Sequence, residues 1–250
     1  MQIPGIFTSK DAERFFPEDS WELSALQSIR RIMTNRGFPC HFARIAEATG
    51  CAYFAFATSP HDETQLQHIV TCLSEFTNMT KASRKRRRHT LLVTFKPETN
   101  PQDNEYYAKA FWGLLNYLHQ HDQEAWPTQI ATTPDDPNFE FCFNGVPMFT
   151  FANTPAYSKR RSRNLGDSFV VVFNPYSSFS GVQLLTPGGK GARTQIRKRL
   201  ESYDRVACYG EFGQIDGDIP LAWKSYFIPD DNVPMSTPCP FHYRGKPDQE

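Results

Sequence analysis

At 250 residues the chain is long enough to bury roughly 70% of its unfolded surface, and its 27 basic and 27 acidic side chains cancel to a formal charge of zero. That balance argues against a general nucleic-acid or membrane-surface binder and leaves only local patches. No apolar run approaches the roughly 20 residues that span a bilayer, and residues 1–10 lack the basic and apolar regions of a signal peptide, so a cytoplasmic protein is expected.

A first helix is predicted over 21–35, where Leu23, Leu26, Ile29 and Met33 share one face and Asp19 and Glu22 are spaced as a capping box. The stretch GFPCHFARIAEATG that follows is read as a loop. CAYFAFAT at 51–58 reads as an aromatic strand, and Leu66, Ile69, Val70, Leu73 and Phe76 give 65–77 a helical stripe. KASRKRRRH at 81–89 is the sharpest charge run. Its simpler reading is a solvated loop, and the alternative is a patch for phosphate or an acidic partner. It lacks the interleaved aromatics that stack nucleic-acid bases, so nucleic acid is not the expected partner.

A strand over 90–95, closed by Pro97, precedes a long helix over 105–121 with the stripe Tyr107, Phe111, Leu114, Leu115 and Leu118. FEFCF at 139–143, then Asn144-Gly145, then VPMFTFA is a hairpin signal, because Asn-Gly accepts the positive φ values of a type I′ turn. The basic loop YSKRRSR leads into SFVVVFN at 168–174, a continuous apolar run that suits a strand buried on both faces. A short amphipathic helix is predicted over 194–203, and the tail 231–250 is read as irregular. Together these elements describe a single α/β (α+β) domain over 1–250, with a mixed, mainly antiparallel central sheet flanked by helices.

Several enzyme classes find no support. The sequence has no G-x-x-x-x-G-K-[ST], no G-x-S-x-G, and no G-x-G-x-x-G opening a helix. TPGGKGAR at 186–193 sets glycines and cations before a helix, as phosphate loops do, but without Walker spacing it reads as a surface turn. Cysteines at 40, 51, 72, 142, 208 and 239 form no C-x-x-C pair, so neither a zinc ribbon nor a thioredoxin motif is present.

The blocks FPCHFA (37–43, counting Gly37), FWGLLNYLHQHDQEAWP (111–127), FEFCFNGVPMFTFANTPAYSKRRSR (139–163), FNPYSSF (173–179), IRKRLESYD (196–204) and AWKSYFIPDD (222–231) carry a resemblance to the YqcI/YcgG family, in order and at the family's approximate spacings. The resemblance implies b-type haem and oxygenation of a nitrogen on an amino acid or guanidine, as in the family's N-hydroxylases of guanitoxin and D-cycloserine biosynthesis. Arginine is then the nominal substrate, and an electron donor is an implied partner. Tyr176 and Ser177 depart from the family's usual Arg-Trp, and Thr154 from a His. These departures motivate an alternative, a haem-binding protein without oxygenase activity. A non-haem interaction module using the 81–89 run is a further alternative.

Oxygen insertion at nitrogen is beyond unaided side chains, so a cofactor must activate the oxidant. Cys40 and His41 in FPCHFA are candidate axial ligands, and a thiolate would favour O–O cleavage. His119 lies one turn beyond Leu115 and should face the core, as a packing residue or a third candidate ligand. HQHD at 119–122 is a weak non-haem metal signal, because His at i and i+2 leave different helix faces. Haem propionates or a substrate carboxylate want cations, for which Arg160, Arg161, Arg163, Arg197 and Arg199 are on offer; the resemblance, which aligns RRSR with the family's basic block, implies Arg161 and Arg163. For a cationic substrate Glu140, set among Phe139, Phe141 and Phe143, is the best carboxylate and Asp204 the second. Trp223, Lys224 and Tyr226 either line the pocket or pack it.

Overall fold

A computed structural model describes residues 5–83, 88–179, 187–210, 221–233 and 238–245. The interior of the basic run, 84–87, and the tail stretches 234–237 and 246–250 lie outside those bounds, as does Thr186.

The strands are β1 (Phe7–Thr8), β2 (Ala52–Ala57), β3 (Thr90–Phe95), β4 (Phe141–Phe143), β5 (Val146–Asn153) and β6 (Val170–Pro175). They form one six-stranded sheet in the order β1-β2-β3-β6-β5-β4. β2 and β3 are parallel and the other pairings antiparallel, so the sheet is mixed and mostly antiparallel, as expected. A parallel pair needs a crossover, supplied here by α4 (Glu63–Ala82).

The helices sort by face. β2 sends Ala55 and Ala57 to one core and Phe54 and Phe56 to the other, while β6 splits Val171 and Phe173 from Val170 and Val172. This is the period-two alternation of a sheet covered on both sides. Leu73 and Phe76 of α4, with Phe111 and Leu115 of α5 (Asn104–His121), pack the first face. Ala12 of α1 (Ser9–Phe15), with Leu26, Ile29 and Met33 of α2 (Trp21–Met33), packs the second. Among the described residues no helix is long and apolar enough to cross a membrane.

Local chemistry moved some boundaries. Ser20 rather than Asp19 caps α2, its Oγ accepting the Leu23 N–H at 3.2 Å. The stretch read as a loop after α2 contains α3 (His41–Ala48). Gly50, at φ +65°, ends it while Cys51 N–H reaches the Ala46 carbonyl at 2.7 Å, a glycine stop that allows so short a helix. From Pro187 onward the glycine-rich segment belongs to α6 (Pro187–Tyr203) rather than to a surface turn. The hairpin turn is as expected, with Asn144 at φ 52° and Gly145 at φ 66°.

Candidate active site

A cavity of about 530 Å³ lies against the second face of the sheet, lined by Leu92 of β3, Val172 of β6 and Phe151 of β5, with Phe42 and Ala46 of α3 and Ile196 of α6. Such a volume is ordinary for a small-molecule or cofactor site. Its walls are mostly apolar, and Cys40, Glu140, Arg88, Arg160 and Arg163 are among the polar groups that interrupt them.

Cys40 stands at the N-cap of α3. Burial pushes its thiol pKa up, against the pull of the Ala43 and Phe42 backbone N–H groups and the Arg163 and Arg88 guanidinium charges. Burial wins, so the free sulfur is held as a thiol, and the N–H groups and guanidinium charges would favour a thiolate only once a metal displaced the proton. The segment is pinned at both ends. Glu47, near the end of α3, accepts from Ser9 Oγ at 2.7 Å and Arg30 Nε at 2.6 Å, tying α3 to α1 and α2. Arg199 of α6 donates to the carbonyls of Arg36 at 2.6 Å and Phe38 at 2.7 Å, just ahead of the cysteine.

Glu140 reaches the cavity because its neighbours do not. Phe139 and Phe141 are fully buried in the opposite core, so strand alternation turns the carboxylate toward the cavity side. Tyr176 donates its phenol hydrogen to Oε1, and Tyr226 donates to Oε2 at 3.1 Å. Tyr226 in turn accepts the Phe141 N–H at 3.0 Å. Burial pushes the Glu140 pKa up to about 7, even with both phenols opposing the shift.

Two arginines supply the positive wall. Arg160 and Arg163 are only 2% and 7% exposed, whereas Arg161 between them is exposed. The 3-10 turn Arg161–Arg163 explains this, since residues three apart eclipse one another in such a turn. Arg163 donates to the Ser225 carbonyl at 3.1 Å and its guanidinium lies over the Phe151 ring at 4.2 Å. Burial pulls its pKa down to about 10. Among the described residues the ion pairs are Arg30 with Glu13 and Glu47, and Lys109 with Glu105, none involving Arg160 or Arg163.

The structure thus brings Cys40, Glu140, Arg160 and Arg163 to one cavity and leaves His41, His119, Arg161, Asp204, Arg197 and Arg199 outside its lining. His41 sits near Arg199 and Arg44, and burial followed by those charges lowers its pKa. His119 is buried beyond the opposite face, its Nε2 accepting the Arg244 N–H at 3.0 Å among Trp126, Phe241 and Tyr243. Arg161 lies over the Tyr203 ring. Asp204 accepts the Ser162 N–H and Oγ–H, each at 2.7 Å, and so braces the arginine turn. Sequence reasoning passed over Tyr176, His89 and Cys208, which all line the cavity. Tyr176 carried a signal, since it stands in the FNPYSSF block; the cysteine and histidine carried none. Among the described residues no group of three or more His, Cys, Asp or Glu side chains could hold a metal ion by themselves, which includes the HQHD stretch.

Fold and site together define an α/β protein with a ligand-sized cavity that carries thiols, a carboxylate and buried guanidinium groups. The chain belongs to the YqcI/YcgG family, whose profile matches residues 29–242. It is 31% identical over 247 residues to an uncharacterised protein, YcgG, of Bacillus subtilis, covering 96% of each chain. A second Bacillus subtilis protein, YqcI, is 32% identical over 225 residues, covering 88% of this chain and 87% of the other. The putative N(omega)-hydroxy-L-arginine synthase DcsA of Streptomyces lavendulae is 30% identical over 230 residues, covering 91% and 86%. No solved structure matches.

Proposed function

We propose that the protein is a haem-dependent oxygenase that N-hydroxylates a guanidine or amino-acid nitrogen, with an arginine-like molecule as substrate. The observation that carries the reading is Cys40, at the N-cap position of α3 and on the wall of a mostly apolar cavity, with the Arg163 and Arg88 guanidinium charges acting on its sulfur. Haem would bring its own macrocycle to the iron and ask the protein for an axial ligand. The residues fit that group. Cys40 would hold the iron, and Arg160 and Arg163 would meet the propionates or a substrate carboxylate. Bound there, haem would supply the oxidant activation that no side chain can provide.

The chain's own residues do the rest. Phe38, Phe42, Phe149 and Phe151 give the cavity apolar walls, which strengthens every charge interaction inside it. Glu140 presents an acidic group to the same space. The similarity to DcsA, a putative N(omega)-hydroxy-L-arginine synthase, supports the reaction class and the arginine-like substrate. Haem-loaded protein supplied with an electron donor, O₂ and L-arginine should release N-hydroxy-arginine, detected by mass spectrometry. A loaded protein that turns over neither arginine nor any member of an amine and guanidine panel rejects the oxygenase reading.

A further inference from the structure

We propose that Tyr176, Glu140 and Tyr226 form a guanidinium receptor, in which Glu140 contacts the ligand and the two tyrosines are positioning residues. The inference deepens the functional reading above, because it names what the cavity selects.

A carboxylate has about four lone-pair sites. In Glu140 each oxygen has one site occupied, Oε1 by the Tyr176 phenol and Oε2 by the Tyr226 phenol. One site therefore remains on each oxygen, and the side chain lines the cavity. Two phenols gripping different oxygens fix the carboxylate plane. Tyr226 is itself fixed, being 0% exposed and holding the Phe141 N–H. A planar fork of two parallel N–H groups can meet both remaining sites at once, whereas a compact ammonium meets them singly. Among the described residues no ion pair involves Glu140, so an incoming cation would meet a carboxylate that holds only the two phenols.

The cavity also holds Arg88, Arg160 and Arg163, whose nearer anionic partner would be the ligand's carboxylate; Arg88 and Arg163 act on Cys40, and no cation is among the groups that shift Glu140. The titratable groups recorded around Glu140 are Tyr176, Tyr226 and Cys142, and burial pushes all three pKa values up, so they stay neutral near pH 7. Glu140 itself titrates at about 7, raised by burial. A guanidinium should therefore bind to the ionised form and drive a proton off at neutral pH, with affinity rising as pH climbs through about 7.

The test is calorimetry on the purified full chain, with and without added haemin, using L-arginine and its uncharged isostere L-citrulline across pH 5.5 to 8.5. Wild-type protein should prefer arginine and release protons on binding. Glu140→Gln should weaken arginine about 30-fold or more at pH 8 while moving citrulline less than about 3-fold. Tyr176→Phe removes one donor to the ionised carboxylate, so it should shift the midpoint of the arginine pH profile upward, which simple loosening of the fold would not do. Equal binding of arginine and citrulline by wild type, binding of neither, or an unmoved midpoint in Tyr176→Phe overturns the receptor. Haemin uptake without arginine preference rejects the receptor alone; arginine preference without haemin uptake rejects only the haem reading.

Discussion

Tyr176, in the turn that follows β6, donates its phenol hydrogen to Glu140, the residue just ahead of β4, so the polar centre of the cavity joins two sheet segments far apart in sequence. The bond leaves the carboxylate short of full compensation, since its pKa still stands at about 7 against an ordinary 4.5. Because the folded value is raised, the associated stability is complete below about pH 4.5 and is lost as pH rises through about 7. The loss is on the order of 3 kcal/mol, at about 1.4 kcal/mol for each pKa unit. Ligand-free Glu140→Gln should accordingly gain on wild type by that order between pH 4.5 and 8 in chemical denaturation. A difference that stays constant across this range would show that Glu140 ionises freely.

Asp230 gives the opposite pH trend. Burial raises its pKa, but the backbone N–H groups of Arg160, Lys159 and Ser158 outweigh burial and hold it below the ordinary carboxylate value. It accepts the Arg160 N–H at 2.7 Å and the Ser158 Oγ–H at 2.9 Å. Its contribution is present above the ordinary value of 3.8 and is lost as pH falls through the lowered one. Asp230→Asn should destabilise the protein by about 2 kcal/mol at pH 7, because hydrogen bonds to a charged acceptor are replaced by weaker ones. The deficit should shrink in acid, as read from urea midpoints at pH 7 and pH 3.

Arg163 tests the positive wall. Its planar fork both donates to Ser225 and stacks on Phe151, and an ammonium can reproduce only the charge. Arg163→Lys should remain folded but lose about 1 kcal/mol of stability, and haemin uptake should weaken about tenfold if the guanidinium meets a propionate. Arg161→Lys, on the exposed side of the same turn, should change neither.

Much of the sheet was legible because its signals are local. The 90–95 strand follows from a bounded apolar run, and the β4–β5 hairpin follows from Asn144-Gly145, both in the left-handed region. α3 was not legible: eight residues with a single buried member, Ala46, carry too few turns to show a period. Half of the site followed the same rule. Glu140 stood out as a charge among phenylalanines, and Cys40 by its block. Arg160 was outranked by Arg161 because only the 3-10 geometry distinguishes them. Tyr176 was marked only by its place in the FNPYSSF block, and His89 meets the cavity through tertiary contacts that no spacing in the chain encodes. Asp204 and His119 are functional-looking residues with structural partners, Ser162 and Arg244.

The proposal that Cys40 holds haem iron in this cavity is open to haemin titration followed by absorption and electron paramagnetic resonance. Wild-type protein should take up haemin with a thiolate-ligated spectrum. Cys208→Ala should keep that spectrum and Cys40→Ala should lose it, while circular dichroism shows both variants folded. No uptake by wild type, or the same ligand signature in Cys40→Ala, would contradict the claim.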